Sequence, residues 1–292
     1  MLHLVLPKGS LERATLELFE AADLPVSRSS SVSYQATIDD PRVIDVAILR
    51  PQEIPRYVAE GRFDLGVTGR DWIVETASEV VSLGELHYSK ATARPIQVVL
   101  AVPDDSPVRT VNDLTDGVRV STEYVELTRR YFDRHGVKAE IELSYGATEA
   151  KTALGICDVV VEITETGSAL RAAGLRIVDT ILVSYTELIA SPQAWEDPAK
   201  RHAMHQLHTL LQGTLEARGK VLVKLNVGED DLNRVIGILP AMKSPTVSQL
   251  SGDGGFAVET VVPKAEINTL IPALKDAGAT DIIELPLSKI VH

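Results

Sequence analysis

The sequence predicts an α/β protein in which two α/β lobes, joined by a double crossover, precede a smaller βαββαβ module. Three observations carry that expectation. Short apolar runs alternate with helical patterns through the first two thirds of the chain, and the alternation restarts after the turn-rich Pro103-Asp104-Asp105-Ser106-Pro107. The texture then changes again at Gly219.

The first apolar run, Leu2 to Leu6, reads as a strand and leads into a helix from about Ser10 to Ala22. Val43 to Leu49 is a second strand. Pro51 fits the first turn of the helix that follows and Gly61 its end. Strands at Asp64 to Thr68 and Val80 to Leu86 complete this series. The second series has a strand at Gly117 to Ser121, a helix over Glu123 to His135, and strands at Ala139 to Leu143 and Asp158 to Ile163. Leu175 to Ile189 is strongly β-forming, and a helix of roughly 25 residues from Ser191 to Arg218 returns the chain to the first lobe. The expected division is residues 1–94 with 183–218 for the first lobe and 95–182 for the second. Ligands of such sheets bind beyond the carboxyl ends of the strands.

From Gly219 the pattern is strand (Lys220 to Val227), helix (Asp230 to Leu239), strands (Thr246 to Leu250 and Phe256 to Val262), helix (Lys264 to Ala277) and strand (Asp281 to Pro286). That is ferredoxin-like order, in a unit of residues 219–292 small enough to be an appended regulatory domain.

Composition narrows the function classes. Hydrophobic residues at 45% and charged residues at 24% allow a real core in a chain of 292 residues. A formal charge of −12 argues against a nucleic-acid surface, which needs massed Lys and Arg. Polyanionic small molecules remain open, since a few local cations, helix N-termini and an accompanying metal suffice for them. No stretch approaches the ~20 apolar residues of a membrane span and no signal peptide is evident, so a cytoplasmic protein is expected. Cys157 is the single cysteine, which rules out an internal disulfide and a cysteine-built zinc site. His202, His205 and His208 spread over ~120° of a helix surface and read as an exposed face rather than a zinc site.

The most specific segment is Asp158-Val-Val-Val-Glu162-Ile-Thr164-Glu165-Thr166-Gly167-Ser168-Ala169-Leu170. A buried strand runs into a turn of acidic, hydroxyl and glycine residues where a helix begins, a setting that suits an anion. Asp158 and Glu162, four apart on a strand, share one face and are expected to reach together toward sugar hydroxyls or a metal. In isolation the same pattern is an ordinary N-capping turn.

This segment resembles the phosphoribosyl-pyrophosphate loop of ATP phosphoribosyltransferases, an acidic strand followed by Glu-Thr-Gly and Thr-Leu. Glu165-Thr166-Gly167 and Leu170 carry the match. Leu6-Pro7-Lys8-Gly9-Ser10-Leu11, Arg50 to Val58 with Gly61, Asp64 and Gly66 to Asp71, and Glu123 to Phe132 are also similar to that family. Leu239-Pro240 and Ser244-Pro245-Thr246 resemble the C-terminal domain of its long, histidine-regulated members. Ser89 to Gln97, near the crossover, matches poorly. Two positions depart from the family pattern: Glu162 stands where Asp is more frequent, and Ala169 where a second Thr is usual.

The resemblance implies phosphoribosyl transfer to N1 of ATP with release of pyrophosphate, the first step of histidine biosynthesis, on two lobes like those of periplasmic binding proteins. Glu165, Thr166, Gly167, Ser168 and Ala169 would wrap the 5′-phosphate, and Glu162 would face the ribose hydroxyls, with Asp158 a further substrate-binding residue. Lys8 and Arg50 would assist the pyrophosphate, Gly69 and Asp71 would border the nucleotide, and Thr122 and Tyr124 are further substrate neighbours. Asn226, Ser244, Thr246 and Asp281 would contact a regulatory histidine. Mg²⁺ is implied as cofactor, and a homo-oligomer, dimer to hexamer, as the assembly. No general base is implied. Three rival readings stand beside it: a two-lobed binding module without catalysis, a phosphoribosyltransferase for another base, and a weakly active regulated homologue.

Overall fold

A computed structural model describes residues 1–30, 32–88, 95–240, 244–252 and 254–292. Their contacts divide the chain into two compact units, Met1–His208 and Thr209–His292. Most of the poorly matching segment 89–97 lies outside the described residues.

The chain opens with β1 (Leu2–Pro7), α1 (Glu12–Ala21), β2 (Val26–Ser27), β3 (Gln35–Ile38), β4 (Val43–Leu49), α2 (Ile54–Ala59), β5 (Leu65–Gly69), α3 (Arg70–Thr76) and β6 (Val81–Leu86). It crosses over to β7 (Ile96–Pro103), β8 (Arg119–Thr122), α4 (Val125–Arg134), β9 (Glu140–Leu143), β10 (Val159–Thr164), α5 (Ser168–Ala172) and β11 (Leu175–Ser184). Then β12 (Thr186–Ala190), α6 (Pro192–Glu196) and α7 (Pro198–Ala217) bring it back. The first sheet has the order β2-β3-β4-β1-β5-β12-β6 and the second β11-β7-β10-β8-β9. β12 lies antiparallel between β5 and β6, so the first sheet is completed only by the returning chain.

Burial explains why these runs form strands. Leu2, Leu4, Val5 and Leu6 of β1 are all at most 1% exposed, as a central parallel strand covered on both faces requires. In the second lobe Val98, Leu100, Val120 and Val161 pack with Tyr131 and Phe132 of α4. Trp72 belongs to that same cluster, although α3 follows β5 in the chain.

Three elements differ from the sequence reading. The β-forming run 175–189 is two strands in two sheets, broken at Tyr185. The long return helix is split because Pro198, which donates no N–H, starts a new helix while Asp197 before it is extended. β2 and β3, too short to leave a periodic signal, extend the first sheet beyond β4.

The second unit carries β13 (Lys220–Gly228), α8 (Leu232–Ile238), β14 (Thr246–Gln249), β15 (Gly255–Pro263), α9 (Ile267–Asp276) and β16 (Thr280–Pro286). Its antiparallel sheet, β14-β15-β13-β16, has the ferredoxin-like order. Alternate residues of β13, Val221, Val223, Leu225 and Val227, point to one face and meet Val235 of α8 and Leu270 and Leu274 of α9.

Candidate active site in the cleft of the first unit

A cavity of about 530 Å³ opens where strand ends of both sheets face each other, a volume in the range of small-molecule sites. Ser10 after β1, Gln52 after β4 and Gly69 at the end of β5 supply one wall. Glu123 and Tyr124 after β8, with the turn beyond β10, supply the other. Ser184 and Thr186, on either side of the break between β11 and β12, also line it.

The turn beyond β10 has the shape its residues dictate. Gly167 takes a left-handed conformation (φ +72°) and donates its N–H to the Thr164 hydroxyl at 2.7 Å. A Cβ at this position would come within 2.7 Å of an Arg171 Nη1. The Thr166 and Ser168 hydroxyls sit 2.9 Å apart, and both residues line the cavity with Glu165 and Ala169. Arg171 folds back to donate to the Thr166 carbonyl at 3.0 Å, bringing a guanidinium beside the turn. Sequence reasoning did not single out Arg171; its place one helical turn beyond Gly167 was the available signal.

Glu162, near the carboxyl end of β10, is partly buried, and burial pushes its carboxyl above the ordinary range. The Ile163 N–H at 2.9 Å and the Thr148 hydroxyl counteract that shift, while Glu123 and Glu149 add to it. Because Thr122 of β8 pairs with Val161 of β10, Glu123 and Glu162 follow at equivalent points of neighbouring strands. Glu123 is raised by burial as well.

Asp158 corrects the expectation that two carboxylates of this strand reach one site. It stands at the opposite, amino end of β10, where Arg119 holds it with donors at 2.9, 3.2 and 2.7 Å, and it does not line the cavity; Glu162 does not itself line the cavity either, but the residues that follow it, Ile163 and Thr164, do. Residues four apart on a strand share a face but are separated by about 13 Å along it.

Lys8 and Arg50 follow from the ends of β1 and β4 and adjoin cleft-lining residues. The Lys8 ammonium lies over the Tyr34 ring, 3.9 Å from its centre, a neighbour the sequence did not suggest. The Arg50 Nη1 is 3.7 Å from where a Cβ of Gly9 would be, so the two strand ends place both cations around one glycine turn. Asp71 is 2% exposed, and its oxygens accept from the Tyr124 hydroxyl and the Ser184 hydroxyl, each at 2.7 Å. Burial raises the Asp71 carboxyl against the effect of those two donors. Tyr124 is raised in turn by its own burial and by Asp71. Arg70 is exposed, and its guanidinium reaches from the surface to pair at 2.9 Å with Glu187, itself 2% exposed.

In the second unit Asn226 donates to Asp281 at 3.0 Å across β13 and β16. Asp281 has φ +48°, an uncommon backbone for a residue with a side chain, beside a register shift in that pairing. Thr246 lies opposite Glu259 on the far side of β15, and Ser244 is exposed just before β14. Within one module the four positions therefore form two groups. His202 and His205 are exposed, while His208 is partly covered against Gly84, and burial lowers its pKa.

The family model described as ATP phosphoribosyltransferase matches residues 50–213, and that described as HisG, C-terminal domain, matches residues 217–289. The ATP phosphoribosyltransferase of Solibacter usitatus is 48% identical over 291 residues, covering 100% of this chain and 99% of the relative. That of Pelotomaculum thermopropionicum is 47% identical over 290 residues, covering 99% of each. Among solved structures, an ATP phosphoribosyl transferase (HisG:HisZ) complex chain from Thermotoga maritima superposes with a TM-score of 0.64 at 25% identity, covering 74% of this chain and 99% of that one. The turn at Gly167, the cleft around it and the appended ferredoxin-like module thus occur in a chain that belongs to the ATP phosphoribosyltransferase family, the transferases of the first step of histidine biosynthesis.

Proposed function

We propose that the cleft binds phosphoribosyl pyrophosphate and ATP together and joins them, with the 5′-phosphate seated on the 165–169 turn. The observation that carries this placement is the left-handed Gly167 flanked by the Thr166 and Ser168 hydroxyls at the cavity wall. In the reaction the bond from the anomeric carbon to the pyrophosphate oxygen breaks, its electron pair leaves with pyrophosphate, and N1 of adenine forms the new bond. Positive charge develops on the ribose as this happens. The protein's contribution is positioning and electrostatics. Lys8 and Arg50 meet the departing pyrophosphate, Glu162 accepts from the ribose hydroxyls, and Gly69, where a Cβ would come within 2.1 Å of an Asp71 oxygen, borders the nucleotide. Asp71, with both oxygens engaged, holds Tyr124 and Ser184 in place. Ala169 supplies no hydroxyl, so Ser168 and the adjoining backbone donors carry that part of the phosphate site.

Mg²⁺ enters this proposal as a companion of the pyrophosphate. Among the described residues no group of three or more His, Cys, Asp or Glu side chains is placed to hold a metal ion. Bound with the pyrophosphate, the ion would neutralise substrate charge, and Lys8, Arg50 and the phosphate turn would hold the complex.

Regulation by histidine is proposed for the second unit, with Asn226 and Asp281 as one pair of contacts and Ser244 and Thr246 as the other. Because one module separates the two groups, assembly of several chains, dimer to hexamer, is part of the proposal. Cytoplasmic location fits a biosynthetic transferase, and no helix among the described residues is long and apolar enough to cross a membrane.

The test is product formation from ATP, phosphoribosyl pyrophosphate and Mg²⁺ with pyrophosphatase present, followed by absorbance, with and without histidine. Turnover that histidine suppresses is the expected result. Binding of both substrates by calorimetry without product would replace catalysis with the two-lobed binding module.

A further inference from the structure

One wall of the cleft is held by a helix that the chain order assigns to the opposite lobe. α3 leaves the end of β5 in the first sheet, yet its Trp72 ring stacks on Tyr124 with centroids 4.5 Å apart. One turn further along α3, the Glu75 carboxylate accepts the backbone N–H groups of Glu126 and Leu127 at 3.0 and 2.8 Å. These are two of the N–H groups that the start of α4 leaves without helical partners. The residue at the N-cap of α4, Tyr124, provides no side-chain cap, and the carboxylate of Glu126 is engaged with Arg129. Glu75 therefore brings from another helix both the acceptors and the negative charge that a helix start favours. The contact is closed at its far side by Arg130 of α4, which donates to the Val74 carbonyl.

The residues so fixed are those that face the cavity. Tyr124 is held at its ring by Trp72, at its hydroxyl by Asp71 and at its N–H by the Thr122 hydroxyl at 2.9 Å. Glu123 lies between Thr122 and Tyr124 and lines the cleft, whereas Glu75 does not line it.

We propose that Glu75 is a positioning residue for the transfer reaction: by capping α4 from α3 it sets the 122–124 turn, and with it the second-lobe wall, relative to the first-lobe strand ends. The proposal rests on the cleft being the active site. A displacement of this wall would misalign two reactants that must meet in line, so the effect belongs in turnover more than in affinity.

The experiment uses the full chain with Glu75→Gln and Glu75→Ala. The amide keeps one acceptor and loses the charge; alanine loses both acceptors. Each variant is also made with Trp195→Phe, which leaves Trp72 as the single tryptophan and its emission as a direct report of the stack on Tyr124. Turnover is measured well below the unfolding midpoint. The expected result is graded: kcat falls about 10-fold in Glu75→Gln and about 100-fold in Glu75→Ala, KM for both substrates moves less than kcat, and Trp72 emission shifts in the same order. Unchanged kcat and unchanged Trp72 emission, with only a lower unfolding midpoint, would overturn the proposal and leave Glu75 as a stabilising cap. If Glu75→Ala does not fold, Glu75→Gln decides on the same readings. Absence of turnover in the wild type sinks the active-site reading itself, whereas an active wild type with fully active Glu75→Gln sinks this proposal alone.

Discussion

The two ends of β10 carry a carboxylate each and treat it in opposite ways. At the amino end Asp158 accepts from the backbone and guanidinium of Arg119, which holds its carboxyl below the ordinary range. At the carboxyl end Glu162 has no cation as its partner among the described residues, and burial pushes its carboxyl up. One strand therefore spends one acid on holding the fold together and keeps the other available at the cost of burying part of a charge. An acid left in that condition on the strand that leads into a cavity-lining turn points to a site, whereas an acid matched to an arginine points to structure.

Substitutions at and beyond the two ends should separate these roles. The largest effect is expected beyond the carboxyl end, from Gly167→Ala. The left-handed backbone strains any residue with a side chain, and an added methyl would push the Arg171 guanidinium off the turn, so kcat/KM for phosphoribosyl pyrophosphate should fall about 100-fold or more. Retained activity would show that the turn does not seat the phosphate. Glu162→Gln comes next, with kcat/KM reduced about 10-fold to 100-fold while the folded state gains about 0.5–1 kcal/mol near neutral pH.

The sign of that gain follows from the raised carboxyl: the folded state retains the proton to higher pH, so the contribution of Glu162 to stability is lost as pH rises through its folded value. The advantage of the glutamine should accordingly shrink as pH is lowered into the carboxylate range, and unfolding midpoints at several pH values measure it. An activity loss coupled to a stability loss at neutral pH would contradict the assignment of Glu162.

Asp158→Asn is the smallest and the mirror image. Activity should stay within about 2-fold, and stability should drop by less than about 1 kcal/mol, because the pair with Arg119 is nearly half exposed and screened by solvent. Its lowered carboxyl contributes stability above the unfolded pKa, and that contribution is lost as pH falls through the lower folded value. The difference between Asp158→Asn and wild type should therefore vanish in acid. A loss of activity as large as that of Glu162→Gln would return Asp158 to the site.

What the sequence disclosed and what it concealed divide along range. The run Leu2 to Leu6, the glycine turn at 165–169 and the alternation along Lys220 to Val227 are local patterns, legible because strand period and turn chemistry act over a few residues. The opposite fates of Asp158 and Glu162 were not legible, since Arg119 meets Asp158 from 39 residues away through the pairing of two strands. Asp71 read as a nucleotide neighbour by resemblance; its hydroxyl partners Tyr124 and Ser184 lie 53 and 113 residues distant. Tyr34 beneath Lys8 and Glu75 at the start of α4 are concealed for the same reason. The break at Tyr185 is harder still, because both halves of the run are equally apolar and only the choice of sheet distinguishes them.

The insertion of β12 between β5 and β6 bears on how the polypeptide is made. As the ribosome releases the chain from its amino end, β5 emerges with an open edge and β6 has no neighbour to pair with until residues 186–190 appear. By then every strand of the second sheet has been synthesised, so the lobe encoded in the middle of the gene can close while the one encoded first still waits for its seventh strand. For that interval the nascent protein carries an unpaired apolar edge in Leu65–Gly69, the hour at which a chaperone has most to offer it.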